Sequence, residues 1–193
     1  DLKREGMISA GVYPSWHPTL PFVAFSTNNT HQWFHTADVD KVEGFDDASD
    51  LVLYDVNADK VSVIAADTAR LEVFPTWTPD GKYLYYCSAI AWRADSTKVH
   101  GDDYRFGYMD VRYNLYRRPF DASTKSFGEE ETVYQADTLQ HSATLPRISP
   151  DGRFIVFAEG PHGCFNIWHH DADIRIMQLS DGTFLPTEAL NTA

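Results

Sequence analysis

Pro75-Thr76-Trp77-Thr78-Pro79-Asp80-Gly81-Lys82-Tyr83-Leu84-Tyr85-Tyr86-Cys87 is the stretch whose reading decides the fold. Pro79-Asp80-Gly81 is turn chemistry: proline presets φ, aspartate bonds its own backbone, and glycine takes a positive φ. The run Tyr83 to Tyr86 is too short for a helix and rich in aromatic residues, so it reads as a buried strand. Phe74 to Trp77 reads as its hairpin partner. The same pattern returns at Pro146-Arg147-Ile148-Ser149-Pro150-Asp151-Gly152-Arg153, followed by the strand formers Phe154 to Phe157. It also stands at Pro14-Ser15-Trp16-His17-Pro18, where Thr19-Leu20-Pro21 replaces Asp-Gly and a different turn is required. The copies are spaced irregularly, but the register inside each has no gaps. An internal repeat of this kind sets the architecture before any other signal.

A second alternating element follows each hairpin: Asp50 to Val56, Asn114 to Phe120 and Asp173 to Leu179. Turns come next at Asn57 to Asp59, Asp121 to Ser123 and Ser180 to Gly182. Fourth strands are expected at Lys60 to Ile64, Glu131 to Tyr134 and Thr183 to Leu185. Each unit is then two hairpins in a four-stranded antiparallel sheet, and radial repetition of such sheets makes a β-propeller. The expectation is an all-β chain, a single partial β-propeller domain over residues 1–193. About three blades are present, near 11–67, 70–137 and 142–186. The nearest helix candidate is Thr187 to Ala193.

The Pro-x-[Trp/Ile]-[Ser/Thr]-Pro-Asp-Gly-[Lys/Arg] frame resembles the repeat of TolB-like β-propeller proteins, a WD-like repeat of the PD40 kind. It also resembles the propeller domains of prolyl oligopeptidases and dipeptidyl peptidases. Ser49 to Asp55 and Gly163 to His170 look like the corresponding stretches of TolB-like proteins from Bacteroidetes. The resemblance implies six blades in a complete protein, a periplasmic or outer-membrane-associated location, and protein partners held on a propeller face. Three blades expose two apolar faces, an unfavourable arrangement. The missing neighbours are expected to be further blades of the same polypeptide or a second copy.

The formal net charge is −12 and the pI about 4.9, with the acids scattered through loops. That balance disfavours nucleic acid and anionic lipid as partners. No apolar run is long enough for a helical membrane span. The two cysteines, Cys87 and Cys164, form no C-x-x-C; they are free to pair or to remain thiols, and Cys87 reads as buried. Asp67-Thr68-Ala69, Asp95-Ser96-Thr97 and Asp137-Thr138-Leu139 resemble an O-glycosylation signal of exported Bacteroidetes proteins.

Two insertions, Asn28 to Ser49 and Ala89 to Tyr113, exceed ordinary hairpin connections and are rich in polar, aromatic and histidine residues. His31 and His35 would share a face on a helix and are weak metal candidates, but no helix is predicted there and the H-E-x-x-H glutamate is absent. His162, Cys164, His169 and His170 form a second weak metal cluster. An extended stretch would point His169 and His170 to opposite sides. Packing is the plainer reading of both clusters. Trp33, His35, Trp92 and Trp168 are the candidate interaction residues of these loops. Trp16 and Trp77 share one register and read as core between blades. Asp50, Asn114 and Asp173 share another and read as side chains that bond neighbouring backbone. Neither G-x-S-x-G, nor G-x-G-x-x-G, nor a P-loop is present, so no catalytic residue and no cofactor is expected.

With no catalytic motif present, the resemblance to TolB-like proteins implies a non-enzymatic interaction scaffold of the bacterial envelope. The competing possibility is the gating propeller of a larger serine peptidase whose catalytic domain lies elsewhere.

Overall fold

Antiparallel sheets account for almost all regular structure in the computed structural model, which describes residues 10–28, 35–38, 41–43, 49–91, 111–162 and 170–191. The first sheet contains β1 (Ala10–Trp16) and β2 (Phe22–Asn28). A separate hairpin, β3 (His35–Asp38) with β4 (Lys41–Glu43), interrupts it. β5 (Leu51–Asp55) and β6 (Lys60–Ala65) then complete the order β1-β2-β5-β6. The second sheet runs from β7 (Arg70–Trp77) through β8 (Tyr83–Ile90) to β9 (Asn114–Asp121). Both β10 (Ser126–Phe127) and β11 (Glu131–Tyr134) pair with β9. The third sheet is β12 (Ser142–Ile148), β13 (Phe154–Gly160) and β14 (Asp173–Gln178).

Two details differ from the four-strand expectation. The second sheet gains β10, because the longer turn after β9 returns to pair before β11 does. In the third, Thr183 to Leu185 forms only a single bridge, between Met177 and Phe184. Among the described residues after Thr187, 188–190 make a turn and no helix forms. The fold is a partial β-propeller.

The repeated turn chemistry works as its residues dictate. Gly81 and Gly152 take φ of 70° and 71°. Asp80 Oδ1 accepts from the Thr78 hydroxyl at 2.7 Å and from the Lys82 N–H at 3.0 Å. Asp151 Oδ1 does the same for Ser149 at 2.6 Å and Arg153 at 3.1 Å. In the first copy the cap is His17, at the Thr78 and Ser149 register: its Nδ1 accepts the N–H groups of Thr19 and Leu20 at 3.2 and 3.1 Å. All three turns close with the same backbone bond, His17 N–H to Phe22, Thr78 N–H to Tyr83 and Ser149 N–H to Phe154.

Each innermost strand is bulged at the same place, between Val12 and Ser15, Val73 and Thr76, and Thr144 and Arg147. The residue before each repeat proline, Tyr13, Phe74 or Leu145, has φ of 55°, 56° or 54°. Proline has no N–H for the ladder, and the bulge accommodates the skipped bond.

The core lies between the sheets. Phe22, Ala24, Leu51 and Leu53 of the first meet Trp77, Leu84, Tyr86 and Phe120 of the second. Val73, Tyr85, Cys87 and Leu115 of the second meet Ile155, Phe157 and Met177 of the third. Cys87 is buried as read from its strand; Cys164 lies outside the described residues. Trp77 is 6 % exposed, but Trp16 at the same register is 64 % exposed, so Trp16 is not core. The cause is topological: Trp77 faces the preceding sheet, and no described sheet precedes β1.

Candidate functional site

Strand pairing fixes where the long connections leave the sheets. Ala10 pairs with Asn28, Arg70 with Ile90 and Ser142 with Gly160. The start of each inner strand therefore lies beside the end of its neighbour. All three long connections, after β2, β8 and β13, depart from this one edge. The sheet-to-sheet connections, residues 66–69 and 135–141, reach the same edge because they lead into β7 and β12. The Pro-Asp-Gly turns close the opposite edge.

Every candidate residue of the sequence belongs to a connection at this first edge. His31, Trp33, Trp92, Cys164, Trp168 and His169 lie outside the described residues. His35 stands in the strand β3, paired with Glu43. His162 is half-buried just after β13. His170 is exposed in a turn before β14, not in the extended stretch expected of it, because the chain is already reversing into that strand. Among the described residues no group of three or more His, Cys, Asp or Glu side chains is placed to hold a metal ion. Asn114 does what its register suggested: its Oδ1 accepts the Asp137 N–H at 3.0 Å.

Sequence reasoning missed the ionisable groups that line the seams near this edge. Glu72, in β7, is 2 % exposed, and its Oε2 has no hydrogen-bond partner. Burial pushes its pKa up to about 7, against the pull of Arg70, and the carboxylate of Asp50 adds to the rise. Arg70 Nη1 pairs with Glu130 Oε1 at 2.9 Å, and its Nε donates to the Ser88 hydroxyl at 2.9 Å. Its guanidinium lies 4.7 Å over the Tyr116 ring. The Tyr86 hydroxyl donates to Glu130 Oε2, and burial followed by that carboxylate raises its pKa.

The next seam repeats the theme. Tyr134 donates to Glu159 Oε1 at 2.5 Å, while Arg175 Nε and His141 Nδ1 stand 3.3 and 3.7 Å from Glu159 Oε2. Burial and then Glu159 push the Tyr134 hydroxyl up. The legible signal was Glu72 itself, one charge inside the apolar run Leu71 to Phe74. The edge also presents apolar surface: Ile90 is 60 % exposed and Leu139 is 58 % exposed. Polar seams flanked by exposed aliphatic side chains suit docking of a protein surface.

No protein-family model matches the chain, and no curated protein matches it significantly. Solved structures do match. A luciferin-regenerating enzyme aligns at TM-score 0.58 and 13 % identity, covering 95 % of this chain and 48 % of that one. A nidogen/laminin complex aligns at 0.52 and 4 %, covering 92 % and 47 %. A prolyl endopeptidase aligns at 0.51 and 17 %, covering 91 % and 21 %. At such identities the likeness shows the fold alone. The chain spans less than half the length of each.

Proposed function

We propose that this chain is a non-enzymatic interaction module, a TolB-like propeller segment of the bacterial envelope that holds a protein partner at the edge bearing the long connections. The observation that carries this is the strand register, which gathers all three long connections, Ile90 and Leu139 at one edge. Loops on a rigid sheet scaffold are where binding residues concentrate. The envelope location, periplasmic or outer-membrane-associated, rests on the resemblance of the repeat. The net charge of −12 argues for a protein partner over nucleic acid. Among the described residues no helix is long and apolar enough to cross a membrane.

Affinity capture from envelope extract tests the proposal. The wild-type chain and a Lys82→Glu variant, altered at the opposite edge, retain the same partner, and Ile90→Asp with Leu139→Asp loses it. Capture of no partner, or equal capture by all variants, overturns it.

A second reading is the gating propeller of a larger serine peptidase. The alignment with a prolyl endopeptidase favours it, since 91 % of this chain maps onto 21 % of that protein. The full reading frame discriminates. A following segment with G-x-S-x-G, then aspartate and histidine, selects the peptidase; only further Pro-Asp-Gly repeats select the scaffold.

A further inference from the structure

Three buried side-chain oxygens line the seam between the first two sheets. Glu72 stands between Leu71 and Val73 on β7; those two pack toward the third sheet, so alternation turns Glu72 toward the first. It pairs with Ser88, which lies on the same side of β8 as Leu84 and Tyr86. Ser26 faces it from β2. It follows Phe22 and Ala24 by alternation and pairs with Leu51, and all three of those residues meet the second sheet. Ser49, two residues before Leu51, reaches β7 directly: its carbonyl accepts the Glu72 N–H at 3.2 Å. Ser26, Ser49 and Glu72 are 0 %, 1 % and 2 % exposed. Among the described residues, Ser26 Oγ, Ser49 Oγ and Glu72 Oε2 have no hydrogen-bond partner.

Leaving such atoms unpaired in a packed seam is costly, most of all for a carboxylate. The donor set indicates what relieves the cost. One carboxylate and two hydroxyls are hard oxygen ligands, suited to a hard cation and not to zinc or copper. The set carries a single formal charge. Among the described residues no three acidic, histidine or cysteine side chains gather to neutralise a divalent ion. Asp50 and Asp67 add negative potential at Glu72, which favours a cation over an anion. Arg70, on the same strand face, holds its guanidinium on Glu130, Ser88 and the Tyr116 ring. Its field at Glu72 weighs against a second positive charge.

We infer that Ser26, Ser49 and Glu72 bind a monovalent alkali cation, sodium or potassium, which ties β2 and the entry to β5 onto β7. Glu72 Oε2 supplies the charge, and the two hydroxyls supply neutral oxygens. Both sheets of this seam lie within the chain. The site shares no residue with Ile90 and Leu139, so it does not rest on the proposed partner face.

Thermal unfolding of the chain at pH 8, in sodium, potassium or choline chloride of equal ionic strength, tests it. The midpoint rises with sodium or potassium concentration and saturates, and it stays lower in choline, which is too large for the seam. The ion that half-saturates at the lower concentration is the one the site selects. Glu72→Gln abolishes the rise. Ser49→Ala raises the half-saturating concentration about tenfold, the effect of one lost polar ligand. Asp173→Asn, at an exposed carboxylate of the third sheet, keeps the wild-type response, which separates binding from general screening. Equal midpoints in all three salts, the result of a seam filled by water alone, overturn the inference. So does a Glu72→Gln chain that responds as the wild type does.

Discussion

Tyr13 and Phe74 occupy one place in neighbouring sheets and touch each other, with ring centroids 4.4 Å apart and φ of 55° and 56°. Leu145 continues the series at 54°. A left-handed conformation costs a side-chain-bearing residue roughly 1–2 kcal/mol. It persists here because the bulge turns the side chain into the seam, where Phe74 is 1 % exposed.

Phe74→Gly therefore relieves the backbone and still loses, since the ring leaves a cavity. Net destabilisation is about 2–4 kcal/mol in urea unfolding. Gln140→Gly is the control: Gln140 has φ of 61° and is exposed, so the same change is neutral or stabilises by up to about 1 kcal/mol.

Gly81 and Gly182 separate strain from space. Both have positive φ, 70° and 73°. A Cβ on Gly81 would run into the His17 ring, while one on Gly182 meets nothing within 4 Å. Gly182→Ala is expected to cost about 1 kcal/mol and Gly81→Ala at least about 2 kcal/mol. In a double-mutant cycle, His17→Ala recovers part of the Gly81→Ala loss only.

His17 and Glu72 give opposite pH dependences. The His17 ring is held neutral, with Nε2–H donating to the Gly81 carbonyl at 3.2 Å and Nδ1 accepting two backbone N–H groups. Burial lowers its pKa below 6.5, with the Gly81 bond opposing. Its contribution is present above 6.5 and is lost as pH falls below that value. For Glu72, with Arg70, Asp50 and Asp67 around it, the pKa rises from 4.5 to about 7. The stability of its neutral form is present below 4.5 and is lost as pH rises through 7. Glu72→Gln should thus match wild type near pH 5 and exceed it at pH 8. A difference independent of pH would contradict the assignment.

Trp77→Ala and Trp16→Ala change one register in two environments. Removing the 6 % exposed Trp77 costs about 3–5 kcal/mol of unfolding free energy. Removing the 64 % exposed Trp16 costs under about 0.5 kcal/mol.

That pair also marks what the residues alone disclose. Pro79-Asp80-Gly81 and the strand after it announce themselves locally, because turn chemistry and short apolar runs depend on adjacent residues. Trp16 and Trp77 cannot be told apart in sequence, since only a neighbouring sheet decides their burial. His17 was not legible as a cap, because only the folded turn brings its Nδ1, at the Thr78 and Ser149 register, to the Thr19 and Leu20 N–H groups. Glu72 was legible as a lone charge among apolar neighbours, but its burial depends on the preceding sheet. The connections were recognised as long; that they share an edge follows from strand register, which no single segment encodes.

Site-specific photo-crosslinking in envelope-bearing cells tests the proposed partner face most directly. Crosslinkers placed at Ile90 and Leu139 should capture one shared protein, and crosslinkers at Lys82 and Arg153, on the Pro-Asp-Gly edge, should not. Adducts only from Lys82 and Arg153, or no adduct from Ile90 and Leu139, would contradict it.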